Sequence, residues 1–119
     1  MSTEKECRRT IAERAQGFCE RCGRCGPLTL HHRKKKGQGG AWDPTNCVLV
    51  DGHGTTGCHG WIESHPNAAE AEGFHVRPWR DPAEIPILYR GEWGYLTADG
   101  KVRIEREEVA PESGDLPPR

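Results

Sequence analysis

The first periodic segment of the chain lies near its N-terminus, where apolar residues recur at helical spacing. Three of them, four positions apart in an otherwise polar stretch, share one helix face. They are Cys7, Ile11 and Ala15. Thr3 and Glu6 have the spacing of a capping box, and Gly17 is a typical stop. The pattern predicts an amphipathic helix with this face on the core.

A short apolar alternation follows and ends in two histidines. Leu28 and Leu30 predict a strand that closes on His31 and His32. Residues 33–45 have no periodicity and predict a loop, and residues 46–50, NCVLV, predict a second strand. A glycine-rich loop then leads into a short helix that Pro66 ends. The predicted order is strand, loop, strand, loop, helix.

The pattern changes after His65. Residues 66–73 predict a second helix capped by a glycine, and residues 74–79 and 85–90 predict short strands. Residues 92–104 predict a hairpin that turns at Ala98, Asp99 and Gly100. Beyond about Glu107 the chain is polar and proline-rich, which predicts a disordered tail. The predicted fold class is α+β.

Composition adds that the core must be small. The chain has 119 residues, of which 34% are apolar, with 15 glycines and 9 prolines. One domain of this kind often needs a metal or disulfide to hold its loops. No apolar run reaches membrane-spanning length, and the N-terminus lacks a signal-peptide core. We expect a cytoplasmic protein without a membrane partner.

The cysteines suggest what holds the loops. Cys19, Cys22 and Cys25 lie three residues apart, and in a reducing compartment such spacing favours metal over disulfides. A redox pair is less consistent, because no thioredoxin-like strand–helix–strand pattern surrounds them. His53 and Cys58 provide a second pair, so Cys19, Cys22, His53 and Cys58 predict a tetrahedral structural zinc site.

Two alternatives to this ligand set stay open. Cys25 competes as a ligand, and the chain could bind no metal there at all. Cys47 lies in an apolar strand, where a cysteine is more often a buried small hydrophobe than a ligand.

Charge is distributed unevenly along the chain. Residues 1–66 carry ten Lys and Arg against seven Asp and Glu, and the rest carries seven against eleven. Four of the cations, Arg33, Lys34, Lys35 and Lys36, directly follow the two histidines. Such a run is usually a solvated face, but its local positive field could also attract an anionic partner.

The ordered set of His31 and His32, then Asn46, then His59 resembles the HNH endonucleases. The motifs CERCG, LTLHHR, NCVLV and GCHGWIESHP are similar to the zinc-stapled, stand-alone members of phages and bacteria. The resemblance covers residues 18–66. It implies a ββα-metal (His-Me finger) core over residues 1–66 including the N-terminal helix, an extension with short strands over 67–107 that packs on it, and a tail over 108–119.

The resemblance also implies roles for individual residues. His31 and His59 would hold a catalytic divalent metal such as Mg²⁺, Mn²⁺, Ni²⁺ or Zn²⁺, and His32 would be the general base. Asn46 would fix the backbone and ring of His32. Four cations directly after that base would contact the DNA backbone, namely Arg33, Lys34, Lys35 and Lys36. No base-reading element is visible, so weak sequence preference is expected. Glu63 departs from the family pattern: four residues after His59, it shares that helix face and predicts a third metal ligand, unless it is a solvated glutamate.

The resulting expectation is a metal-dependent DNA endonuclease that nicks or cuts both strands. If phage-encoded, it would act in the cytoplasm of a bacterial host, and packaging terminase is an expected partner by family analogy. The rival interpretation is a zinc-dependent nucleic-acid-binding module that does not cut. It would need the cations and the zinc site but no general base.

Overall fold

The structure, a computed structural model, describes residues 3–105. Within them the chain is a compact mixture of three α-helices and two small sheets. The helices are α1 Glu4–Ala15, α2 Gly57–Ser64 and α3 Pro66–Ala71, and the strands are β1 Leu28–His32, β2 Cys47–Asp51, β3 Ile87–Tyr89, β4 Glu92–Leu96 and β5 Val102–Ile104. The predicted tail, residues 108–119, lies outside the described residues.

Helix α1 begins with the predicted capping box. The Thr3 hydroxyl accepts a hydrogen bond from the Glu6 backbone N–H at 3.1 Å, and the Glu6 carboxylate accepts one from the Thr3 N–H at 3.2 Å. The predicted core face is buried. The helix ends at Ala15, because Gln16 and Gly17 both take left-handed backbone conformations.

The predicted order of strand, loop, strand, loop and helix is confirmed for residues 28–64. Strands β1 and β2 pair antiparallel, with Leu30 opposite Leu49 and His32 opposite Cys47. Helix α2 packs against β2. This arrangement places the end of β1 beside α2, where the candidate site lies.

A second sheet has the order β3-β4-β5, with both pairs antiparallel. The predicted hairpin is β4 and β5, and it turns at Asp99 and Gly100, where the Thr97 N–H donates to the Lys101 carbonyl at 3.0 Å. The strand predicted over 74–79 is wrong. The Val76 N–H instead donates to the Arg33 carbonyl, and Pro78 lies in a turn, so the segment crosses the end of β1.

The main hydrophobic core joins both halves of the chain. It combines buried residues of β2 and α2 with buried residues that follow α3, among them Val48, Val50, Ile62, Phe74, Ile87 and Leu96. The predicted core residue Cys47 is buried in a second cluster with Cys7 and Ile11. The residues after position 66 therefore share a core with the strands that carry the histidines.

A buried ion pair ties the loop after α1 to both sheets. Arg14 donates to the Glu20 carboxylate at 2.6 Å, and the same carboxylate accepts from the Tyr89 hydroxyl at 2.7 Å and from the Leu49 N–H at 2.9 Å. No helix within residues 3–105 has the length and apolar character needed to cross a bilayer.

Candidate metal centres

Four side chains gather where the loop after α1 meets the end of β2 and the start of α2. Cys19, Cys22, Asp51 and Cys58 each offer a ligand atom, and these atoms lie within 4.8 Å of one another. Three sulfurs and a carboxylate oxygen are a donor set that suits tetrahedral zinc. The cluster could hold a metal ion and is compatible with a structural zinc.

Hydrogen bonds position these ligands. Asp51 Oδ1 accepts from the Cys58 N–H at 2.6 Å, and Oδ2 lies 3.1 Å from Cys22 Sγ. Cys19 Sγ accepts from the backbone N–H groups of Arg21 and Cys22. Asp51 thus links the knuckle after α1 to the first turn of α2.

The ionisation of the sulfurs is set by burial and by these bonds. Burial opposes ionisation of Cys19, but N–H groups donated to its sulfur, that of Cys22 foremost, outweigh it and lower its pKa. Burial raises the pKa of Cys58 to about 12, and the neighbouring Cys19 adds to the effect. Coordination to a metal deprotonates a thiol outright. A bound cation would therefore convert Cys58 to the thiolate at neutral pH, which its raised pKa otherwise prevents.

The gathered set differs from the predicted zinc ligands at one position. His53 is exposed and lies outside the group, because its backbone closes a tight turn with Thr56: the His53 carbonyl accepts from the Thr56 N–H at 2.9 Å. Asp51, two residues earlier at the end of β2, takes the fourth place. Cys25, the predicted competitor, is exposed and pairs through its backbone with Phe18.

A second group unites the end of β1 with the exposed edge of α2. His31, His59 and Glu63 offer ligand atoms that lie within 4.8 Å of one another. His31 Nδ1 is 3.6 Å from Glu63 Oε2. These three residues are the ones predicted to hold the catalytic divalent cation, and the fold brings them together.

Backbone carbonyls fix which nitrogen of each histidine stays free. His31 Nε2 lies 2.7 Å from the Phe74 carbonyl, and His59 Nδ1 lies 3.0 Å from the Gly54 carbonyl. A carbonyl only accepts, so both nitrogens carry the proton, and Nδ1 of His31 and Nε2 of His59 keep the lone pairs. Burial lowers the pKa of His31 to about 4, so its ring is in the neutral, metal-binding form at pH 7.

The group opens into a cleft of about 270 Å³ that also contains His32. Adjacent residues of a strand normally point to opposite sides, but β1 ends at His32, so both imidazoles line this cleft. The exposed Lys35 and Lys36 lie on its rim. One concave surface therefore combines metal-ligand candidates, a further histidine and two cations.

His32 itself is half-buried. Its ring packs roughly perpendicular to that of Trp42, with the ring centroids 4.5 Å apart, and its Nε2 is buried without a hydrogen-bond partner among the described residues. Burial and the positive charges of Lys36 and Arg8 lower its pKa. The ring is therefore neutral at pH 7 and carries a lone pair that can accept a proton.

Asn46 holds the loop after β1, and its side chain contacts Lys34, two residues after the predicted partner His32. Its amide oxygen accepts from the Lys34 N–H at 2.7 Å, and its amide nitrogen donates to the Lys34 and Ala41 carbonyls at 3.0 and 3.1 Å. Its backbone carbonyl accepts from the Arg33 N–H. Asn46 thus fixes the chain leaving His32, and its side-chain bonds go to Lys34 and Ala41 instead of to His32.

Arg33, a predicted DNA contact, is a structural residue. Only 1% of its surface is exposed, and its guanidinium donates to four backbone carbonyls, those of Thr45, Gly73, Pro82 and Ile85. Burial lowers its pKa to about 9, and the group stays cationic at pH 7. Because its donors are engaged in the interior, the exposed cations of the run are Lys35 and Lys36, while Lys34 is partly exposed and donates to the Pro78 carbonyl.

Two residues near these groups were not predicted as part of them. Asp51 directly follows a predicted strand and precedes Cys58 by seven residues. Its position in the sequence therefore marks its carboxylate as a possible metal ligand beside Cys58. His75 lies against His31, with ring centroids 5.4 Å apart, and its Nε2 bonds to the Ile62 carbonyl. It belongs to the segment wrongly predicted as a strand, and no local pattern marks it.

Comparison with known proteins adds no assignment: no protein-family model matches the chain, and neither a curated protein nor a solved structure does. The functional interpretation depends on the residues and their geometry.

Proposed function

We propose that this chain is a metal-dependent DNA endonuclease of the HNH type. The observation that carries the proposal is the single cleft that His31, His32, His59 and Glu63 share with two exposed lysines. Hydrolysis of a phosphodiester requires charge stabilisation on the phosphate, a base for the attacking water and groups that bind the nucleic-acid backbone. The cleft offers a candidate for each requirement.

The divalent cation would be held by His31, His59 and Glu63. Two neutral imidazoles and a carboxylate are a donor set that accepts several divalent ions, and the carboxylate favours harder ones such as Mg²⁺ or Mn²⁺. A cation bound there would stabilise negative charge on the phosphate and on the leaving oxygen. The chain's own contribution is to keep the ligand nitrogens free, through the Phe74 and Gly54 carbonyls.

His32 is the proposed general base. Its ring lines the same cleft, and its lowered pKa keeps it neutral at physiological pH. A neutral imidazole can take a proton from a water that attacks the phosphorus. Asn46 is a positioning residue in this scheme, since it fixes the backbone that follows His32.

The cysteine group has a structural role in this proposal. A zinc at Cys19, Cys22, Asp51 and Cys58 would join the end of β2 to the first turn of α2, which carries His59. Zinc would thereby fix one histidine relative to the strands that carry the others. Metal-linked folding of this kind is common in chains with small cores.

The test is plasmid cleavage by zinc-loaded protein, supplied with Mg²⁺, Mn²⁺ or Ni²⁺. Wild type should cut, whereas His32→Ala should bind DNA normally and lose roughly 10²-fold or more of its rate. Glu63→Gln should raise the metal concentration needed for half-maximal cleavage. His53→Ala is the matched control, because His53 is exposed and outside both groups, and it should cut like wild type.

The rival function is a nucleic-acid-binding module without activity. Wild type that binds DNA at low salt but never cuts with any of the three metals would establish the rival and end the proposal. Equal cleavage by wild type and His32→Ala would show that His32 is not the general base, although the protein is a nuclease.

A further inference from the structure

The segment of residues 74–80 crosses the end of β1 next to the candidate cleft. The Val76 N–H donates to the Arg33 carbonyl at 2.9 Å, and the Lys34 ammonium donates to the Pro78 carbonyl at 3.2 Å. Both anchors belong to the residues that directly follow His32. The segment is therefore held in place relative to the proposed catalytic histidine.

The segment contains a tight turn that presents a tryptophan to solvent. The Arg80 N–H donates to the Arg77 carbonyl at 3.0 Å, and Pro78 occupies the second position of the turn, where its fixed φ is favourable. Trp79 takes the third position and is 74% exposed. Among the described residues, the other exposed large hydrophobic side chains, Phe18 and Trp93, are 45% and 43% exposed.

A second cleft connects this turn to the metal-ligand candidates. It has a volume of about 410 Å³ and is lined by Lys35, Glu63, His75, Arg77 and Pro78, among others. Glu63 lines this cleft and also the smaller one that contains His32. A strand with its phosphate at the smaller cleft can therefore continue along the larger one towards the turn.

The charges beside Trp79 suit a nucleic-acid backbone. Arg77 and Arg80 flank it, and the Arg77 guanidinium lies 6.0 Å from its ring centroid. Arg77 also pairs with Glu70 at 2.7 Å, and both side chains line the larger cleft. An exposed aromatic ring next to cations that follow a groove is the arrangement with which proteins hold unpaired bases.

We propose that the turn Arg77–Arg80 is a subsite for single-stranded DNA, in which an unpaired base next to the scissile phosphate stacks on Trp79. In a duplex both faces of a base are covered by its neighbours, so an unpaired or extruded base is what offers a free face to the indole. The inference rests on the proposed nuclease function and specifies its substrate class. The preferred substrate is DNA with an unpaired segment at or beside the cleavage position.

The experiment compares DNA affinities in the His32→Ala background, which keeps the probes intact. Fluorescence anisotropy is measured with a labelled 15-nucleotide single strand, with the same sequence as a duplex, and with the RNA of that sequence. Trp79→Ala, Trp79→Phe and the control Trp93→Ala, an exposed tryptophan on β4, are tested on each probe. Tryptophan near-UV circular dichroism and urea unfolding verify that each variant folds.

Trp79→Ala should weaken single-strand binding on the order of tenfold, Trp79→Phe should restore most of it, and duplex binding should change less than twofold. The salt dependence should stay unchanged, since no charge is removed. Single-strand binding unaffected by Trp79→Ala, or equally weakened by Trp93→Ala, would overturn the subsite. Tighter binding of the RNA would overturn the choice of DNA.

The two proposals fail in different ways. If wild type cuts plasmid while Trp79→Ala binds single strands like its parent, the subsite is wrong and the nuclease stands. If wild type never cuts but Trp79→Ala loses single-strand affinity, the nuclease is wrong and the base-stacking subsite stands.

Discussion

Removing the Arg33 guanidinium should destabilise the fold strongly. Arg33→Met leaves four buried or partly buried carbonyls without their donor. An unsatisfied buried acceptor costs roughly 1–3 kcal/mol, so with partial relaxation we expect a loss on the order of 3 kcal/mol in the free energy of unfolding, measured by urea denaturation. Arg33→Lys should recover little of the lost free energy of unfolding, because a single ammonium group cannot reach all four carbonyls.

The neighbouring lysine is the control for Arg33. Lys35 is exposed, so Lys35→Met should change the free energy of unfolding by less than about 0.5 kcal/mol while weakening DNA binding. A stable Arg33→Met variant that had lost its DNA affinity would return Arg33 to the role predicted from the sequence.

Zinc stoichiometry distinguishes Asp51 from His53 as the fourth ligand. Asp51→Ala should lower zinc affinity by at least about tenfold, and His53→Ala should leave it unchanged, because Asp51 lies in the cluster and His53 does not. Asp51→Cys should retain one equivalent. Metal content and competition with a chromophoric chelator measure both effects. Zinc loss in His53→Ala with normal binding in Asp51→Ala would contradict the structure.

Single residues were predictable where spacing alone determines proximity. Glu63 follows His59 by one helical turn, so their shared face could be read from the sequence, and His31 was assigned from the motif. The burial of Arg33 could not be predicted from the sequence, because its carbonyl partners include Gly73, Pro82 and Ile85, far along the chain. The sequence alone does not show which of the four consecutive cations is buried.

At the scale of elements, Gly60 on α2 is a position where alanine should destabilise a helix. In an unconstrained helix interior, glycine to alanine is worth about 1 kcal/mol in favour of alanine. Here a Cβ would overlap the Thr55 carbonyl of the preceding loop. Overpacking of this kind costs about 1–3 kcal/mol, so Gly60→Ala should lower the melting temperature. It should also weaken binding of the divalent cation, because His59 is bonded to the Gly54 carbonyl in the same loop.

Gly37→Ala is the matched control for this substitution. Gly37 has an ordinary φ, and a Cβ there would meet no atom within 4 Å. Its melting temperature should stay within about 2 °C of wild type. A Gly60→Ala variant as stable as wild type would show that the loop before α2 can shift to accommodate the added Cβ without a loss of stability.

Elements were predictable where their signal is local. The capping box and the face Cys7, Ile11 and Ala15 specify α1 within the segment itself, and the turn at Asp99 and Gly100 specifies the β4-β5 hairpin. Residues 74–79 alternate like a strand, yet within residues 3–105 no strand pairs with them. The Phe74 N–H donates to the Ala69 carbonyl at the end of α3, and the Val76 N–H donates to the Arg33 carbonyl after β1. The second of these partners is distant in sequence, so the local pattern does not indicate it.

At the scale of the whole molecule, His31 couples stability to pH. Burial lowers its pKa in the folded protein to about 4, whereas in the unfolded chain it is near 6.5. The unfolded chain therefore binds the proton first as the pH falls, and stability is lost progressively between about pH 6.5 and about pH 4. From about pH 7 to about pH 5 the loss attributable to His31 is on the order of 1–2 kcal/mol.

Urea unfolding of wild type and His31→Gln at these two pH values isolates this contribution. Glutamine can still donate to the Phe74 carbonyl that His31 contacts, but it does not titrate. The cysteine group, whose metal affinity also falls with acid, is common to both proteins and cancels in the comparison. Wild type should lose more stability than His31→Gln on acidification. Equal losses would mean that His31 takes up its proton in the folded protein at an ordinary pH, and its ring would then be less available to a metal near neutrality.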